Sequence, residues 1–158
     1  MALLDDTDYA ILRAMQRDAR IQNKTLAEEV GVAESTCLER VRRLRENGVL
    51  TGFHATVDAA AVGIQLQAMI TVQLSKHSQY TVDRFRSTAN DRPEVLAVYH
   101  LGGRTDFMLH VAVRGSEHLR DFILSALTTR PEVQNVETSI IFDQAHSRTK
   151  PIYPDQAR

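Results

Sequence analysis

The sequence predicts an α+β chain in two parts: an N-terminal, winged-helix-like helix-turn-helix domain, then a C-terminal ferredoxin-like βαββαβ sandwich. Three observations carry that prediction. Apolar residues recur at helical spacing between Leu4 and Leu50, and a turn signal stands at each break. From Met69 onward the period changes to alternation, as in half-buried strands. The tetrapeptide Arg-Pro-Glu-Val occurs twice, at 92–95 and 130–133, each time between a helix and a strand, so the second part reads as two copies of a half. The expected boundaries are 1–50 for the helical domain, 51–64 for a hinge strand and linker, 65–143 for the sandwich and 144–158 for a polar tail.

Asp5, Asp6 and Asp8 open the first helix, where acids suit the positive end of the helix dipole, and Ile11, Leu12 and Met15 form its stripe. Thr25-Leu26-Ala27-Glu28 fits a capping box for a second, shorter helix, Leu26 and Val30 form its buried stripe, and Gly31 supplies the positive φ of a helix end. The third helix is expected from about Glu34 to Glu46, with Asn47-Gly48 as its stop. At about 100° per residue, Cys37, Leu38, Val41 and Leu44 are expected to face the other two helices. Thr36, Glu39 and Arg43 then lie opposite, with Ser35, Arg40 and Arg42 on the flanks.

A short helix, a glycine turn and a longer helix form the unit whose second helix enters a DNA major groove. Arg40, Arg42, Arg43 and Arg45 crowd six positions of that helix. Arginine can grip a guanine edge with two hydrogen bonds or pair with a phosphate, and hydroxyls near the helix start can reach phosphates.

After Thr51–Phe53 and an alanine-rich stretch ending at Gly63, Ile70, Val72 and Leu74 mark a strand. Val82, Phe85 and Ala89 mark a helix; Gly102-Gly103 turns a hairpin whose second strand carries Phe107, Leu109, Val111 and Val113. Leu119, Phe122, Ile123 and Leu127 mark the last helix, and Val136, Thr138, Ile140 and Phe142 the last strand. One sheet face has no cover within such a chain. Met69, Thr71, Met108, His110 and Ala112, or the opposite set, await a second subunit.

The chain has 158 residues, 43% of them hydrophobic, a net charge of −1 and one cysteine, so a cored globular protein is expected. From a lone cysteine and an acidic start, Met1-Ala2-Leu3-Leu4-Asp5-Asp6, a reducing cytoplasm is expected, with no signal peptide and no membrane-spanning run. DNA-binding modules are usually basic. Residues 1–50 nevertheless hold 8 basic and 9 acidic side chains, with four of the 8 between positions 40 and 45, so affinity is expected from several linked heads rather than net charge. The histidines at 54, 77, 100, 110, 118 and 146 lack metal-ligand spacing, and neither a Gly-x-Ser-x-Gly elbow nor a phosphate loop occurs. Neither an enzyme nor a cofactor is expected. Cys37 reads as a small core residue.

Leu4-Asp5-x-x-Asp8, Ile11-Leu12, Leu26-Ala27-Glu28-x-Val30-Gly31, the run from Cys37 to Leu44 and Asn47-Gly48-Val49-Leu50 together resemble the leucine-responsive and asparagine regulator (Lrp/AsnC, feast/famine) family. The likeness runs to about residue 143. It implies a transcription regulator of double-stranded DNA that works as a homodimer, often assembled into octamers. Its effector would be an amino acid held between C-terminal domains. It also implies DNA-binding roles for Asn23, Lys24, Ser35, Thr36, Glu39, Arg40, Arg42 and Arg43. Ala33 stands where the family usually places a serine cap, and Ser35 or Thr36 is expected to replace it.

The resemblance also places the effector near a turn that reads Gly-Asp-Tyr-Asp in the family and Gly103-Arg104-Thr105-Asp106 here. Gly102, Gly103, Arg104, Thr105 and Asp106, with Val136 and Thr138 of the last strand, form that expected site. Asp106 would pair with a ligand ammonium and Thr138 would hydrogen-bond the ligand. Arg104, in place of an aspartate, would bind a ligand carboxylate, favour an acidic ligand or project into solvent. The alternative reading is an architectural protein that wraps DNA without an effector.

Overall fold

Helical and alternating stretches fold separately because each buries its own apolar stripe. A computed structural model describes residues 4–145, 147 and 149–154. Met1-Ala2-Leu3 and His146, on which the sequence reading also drew, lie outside these. The described residues up to Ala55, with those from Ala145 on, form one compact unit, and Thr56–Gln144 form the other.

The helical unit contains α1 (Asp6–Arg17), α2 (Asn23–Val30) and α3 (Glu34–Glu46). Ile11, Ala14 and Met15 of α1 meet Leu26 and Ala27 of α2 and Cys37 and Leu44 of α3 in one buried cluster. A reciprocal cap opens α1: the Asp8 amide donates to Asp5 Oδ1 at 2.8 Å, and the Asp5 amide donates to Asp8 Oδ2 at 3.3 Å. Gly31 and Gly48 take φ of 73° and 68° after α2 and α3, as the sequence requires.

Two expected caps are corrected. Thr25-Leu26-Ala27-Glu28 is not a capping box, because α2 starts at Asn23 and Gln22 caps it without a side-chain bond. The earlier start lets Asn23 Nδ2 donate to the Glu34 carbonyl at 2.9 Å, a tertiary bond in place of a local one. Ser35 and Thr36 do not cap α3 either; Ala33 holds the extended cap dihedrals, and both hydroxyl residues already lie within the helix.

The Asp8 amide, and then the Arg40 guanidinium beside it, hold the Asp5 carboxyl below its ordinary range. A depressed folded-state pKa contributes stability that is full above the unfolded value and lost as pH falls through the folded one. Helical circular dichroism is therefore expected to hold from neutral pH to about pH 4 and to decline below it. Asp5→Asn should flatten that acid limb; an identical limb in the variant would exclude this origin.

The described residues from Ala145 on group with the helical unit. Gln16 reads the backbone of Lys150 in both directions, its Oε1 accepting from the amide at 2.5 Å and its Nε2 donating to the carbonyl at 3.3 Å.

The sheet unit begins with a single turn at Ala60–Val62 closed by Gly63. It continues with β1 (Leu66–Leu74), α4 (Gln79–Asn90), β2 (Val95–His100), β3 (Phe107–Val113), α5 (Ser116–Phe122) and β4 (Val133–Ile141). The strands lie in the order β2-β3-β1-β4, all neighbours antiparallel, which is the ferredoxin-like arrangement. Alternation decides the layers: Ala68, Ile70, Val72 and Leu74 of β1 and Phe107, Leu109, Val111 and Val113 of β3 pack with Phe85 and Ala89 of α4 and with Leu119 and Phe122 of α5.

That assignment settles the face left open by the sequence. Met69, Thr71, Met108, His110 and Ala112, with Tyr99 beside Met108, lie on the side without helices. The last helix runs on as a π-helical turn, Ile123–Thr128, which directs both Ala126 and Leu127 inward. β4 ends at Ile141, so Phe142 is outside it and 96% exposed, and only Val133 and Val136 of β4 reach the core.

Candidate functional site

The buried pole of α3 is formed by Cys37, Val41 and Leu44. Rotating about 100° per residue from that pole puts Ser35, Leu38, Glu39, Arg42 and Glu46 on the outward stripe. Leu38, expected inside, is 60% exposed. Its expected burial is corrected because the core closes over Cys37, one residue earlier.

Four arginines on α3 divide into two pairs. Arg40 Nη1 donates to Asp5 Oδ2 at 2.7 Å and to Asp8 Oδ1 at 2.9 Å, and Arg43 Nη2 donates to Asp8 Oδ2 at 2.9 Å. Asp8 is 1% exposed, so the start of α1 is fixed to the middle of α3 through a buried carboxylate. Arg43 therefore leans back towards α1, where the sequence reading had set it opposite the core. The physical reason is the pair of acids Asp5 and Asp8, which lies within reach of one side of α3. Arg42 faces out, its guanidinium 3.3 Å from Glu39 and 3.5 Å from Glu46 in solvent-screened pairs, and Arg45 is exposed beside it. Thr36 and Lys24 are exposed, whereas Asn23 is half-buried by its bond to the start of α3. Burial pushes the Cys37 thiol up, which makes it a poor nucleophile.

In the sheet unit, the turn between β2 and β3 is bound to the end of β1. Asp106 Oδ2 accepts from the Leu74 amide at 2.7 Å, its own amide donates to the Val72 carbonyl at 3.0 Å, and Oδ1 lies 2.9 Å from His77 Nε2. Gly103 takes φ of 148°, a conformation side-chain-bearing residues rarely adopt, and Gly102 and Arg104 are exposed, with Thr105 half-buried. Val136 and Thr138 are not brought to this turn. Val136 pairs with Val72, which pairs with Phe107, so β1 lies between the turn's strand and β4, a separation of about 10 Å. Val136 packs into the core while Thr138 is exposed.

Sequence reasoning missed His77, which no periodicity marks and only the fold brings to Asp106. Among the other described histidines, His110 Nε2 lies 2.8 Å from Gln67 Oε1 and His118 Nε2 lies 3.1 Å from Glu94 Oε1. Among the described residues, no group of three or more His, Cys, Asp or Glu could hold a metal ion, and no helix is long and apolar enough to cross a membrane.

Residues 4–45 match the AsnC-type helix-turn-helix domain, and residues 67–151 match the Lrp/AsnC ligand-binding domain. The chain belongs to the Lrp/AsnC family. Its relatives include the HTH-type transcriptional regulator AldR of Mycolicibacterium smegmatis, 49% identical over 89% of this chain and 82% of AldR. Among solved structures, a transcriptional regulator from Neisseria meningitidis in complex with L-Met superposes with a TM-score of 0.86 at 29% identity, covering 94% of this chain and 96% of that one. AsnC of Escherichia coli superposes with a TM-score of 0.84 at 26% identity, over 94% of this chain and 99% of its own. The protein is thus a DNA-binding transcription regulator of the Lrp/AsnC type, with a ligand-binding domain, and not an enzyme.

Proposed function

We propose that this Lrp/AsnC regulator is a cytoplasmic homo-oligomer whose paired α3 helices enter successive major grooves about 34 Å apart, and whose DNA affinity is set by a bound amino acid. The observation that carries the effector class is the L-Met bound by the similar Neisseria regulator. In this reading the uncovered sheet face, with Met69, Met108, His110 and Tyr99, joins two subunits, and dimers assemble further, up to octamers. Ser35, Thr36, Glu39 and Arg42 meet the duplex from the outward side of α3, and Lys24 reaches phosphate from α2. Arg40 and Arg43 act from behind them, as does Asn23, by fixing the angle of α3 against α1 and α2.

The effector lies at the turn Gly102, Gly103, Arg104, Thr105 and Asp106. Thr138 and the strand end near Val136 are supplied from a neighbouring dimer, since the turn and β4 of one chain are separated by β1. The ligand shifts assembly, or the spacing of the paired helices, only by its differential affinity for the two arrangements.

A thermal scan with each of the twenty amino acids, combined with light scattering, tests both halves. One amino acid is expected to raise the melting temperature of the wild-type chain, and Asp106→Asn, which keeps an acceptor for the Leu74 amide, should abolish the shift. No response from the wild type would favour DNA wrapping without an effector. A monomer at micromolar concentration would overturn the assembly.

A further inference from the structure

Leu38 has no structural task in the helical unit: Cys37, Val41 and Leu44 fill the interior, and Leu38 stands 60% exposed on the flank of α3, about 100° round from Cys37. It lies three residues after Ser35, beside Glu39 and four before Arg42, so it shares one stripe with the residues proposed to meet DNA. With them and the apolar edge of Val41 it lines a shallow depression that extends to Arg45. An exposed leucine framed by a hydroxyl and two guanidinium groups is an apolar group set where a polar surface would otherwise be expected.

The major groove offers one apolar group among its base edges, the 5-methyl of thymine, and aliphatic side chains contact it. We infer that Leu38 is a specificity-determining residue, its side chain packing against a thymine 5-methyl group while Arg42 and Ser35 hold the neighbouring polar edges and phosphates. The inference rests on α3 being the groove helix. It adds a preference for thymine, whose methyl group charged side chains do not recognise and phosphate contacts do not report.

The test starts from duplexes enriched from a random library by the full-length protein. Each thymine in a half-site is replaced in turn by deoxyuridine, which lacks only the 5-methyl group. At one position per half-site the wild type is expected to lose about 3- to 10-fold in affinity, the scale of one buried methyl group. Leu38→Ala, folded because the residue is exposed, should bind the thymine duplex weaker by a similar factor and not distinguish thymine from deoxyuridine there. Wild-type indifference to every replacement would overturn the inference, as would an undiminished deoxyuridine penalty in Leu38→Ala. A change in oligomeric state with unaltered base preference would assign Leu38 to a protein contact instead and overturn it equally. Arg42→Ala, measured alongside, separates the layers. If it weakens binding while the Leu38 prediction fails, the groove helix stands and only the methyl contact falls; if neither variant alters binding, the groove assignment falls with it.

Discussion

Phe85→Ala is expected to destabilise the sheet unit by about 3–5 kcal/mol, the largest effect of any single truncation considered. The ring is fully buried on α4 and tilts against Phe107, with centroids 4.7 Å apart. The Arg130 guanidinium also lies over the ring, 5.1 Å from its centre. Arg130 is itself held by Nε donating to the Ala126 carbonyl and Nη1 donating to Thr88 Oγ1, each at 2.7 Å. Burial pulls the Arg130 pKa below its ordinary value, so the charge depends on those partners and on the ring. Alanine would leave a void beside Phe107 and a partly desolvated cation without its ring. Urea unfolding should show a lower midpoint with an unchanged slope; a loss below about 1 kcal/mol would mean that the layer collapses around the gap.

Asp8→Ala is expected to cost about 2–3 kcal/mol and, at the same time, to tighten binding to random duplex DNA. The stability loss follows from removing a buried carboxylate that serves Arg40, Arg43 and the Asp5 amide; it falls below the range for a fully buried pair because both guanidinium groups retain some solvent. The gain in DNA affinity follows from the two arginines released to reach phosphates, which should steepen the dependence of log K on log salt by about one to two. Asp8→Asn keeps an oxygen for the cap while deleting the charge, so it should lose less stability and show the same salt effect. Unchanged salt dependence in both variants would show that Arg40 and Arg43 stay pinned by Asp5.

The contrast between these two sites explains what the sequence could reveal. Alternation in β1 and β3 is strict because both are central strands with one face under helices, so Ile70, Val72, Leu109 and Val111 announce their positions. Gly31, Gly48 and the acids at the start of α1 are local signals and appear where expected. Leu38 was misplaced because an apolar residue one position from the buried pole gives nearly the same helical pattern whether it closes the core or faces solvent. The pairing of Arg40 and Arg43 with Asp8, across 32 and 35 residues of sequence, and that of His77 with Asp106, depend on tertiary placement that no period encodes. For the turn before β3, the sequence marked the loop but not how far β1 separates it from Thr138.

The Gln16–Lys150 pairing bears on how the molecule can be handled. Because the chain leaves the helical unit at Ala55 and rejoins it at Ala145, the sheet unit is topologically an insertion, joined by two crossings rather than one. Removing Lys150 would uncover Gln16 on α1 without touching α3.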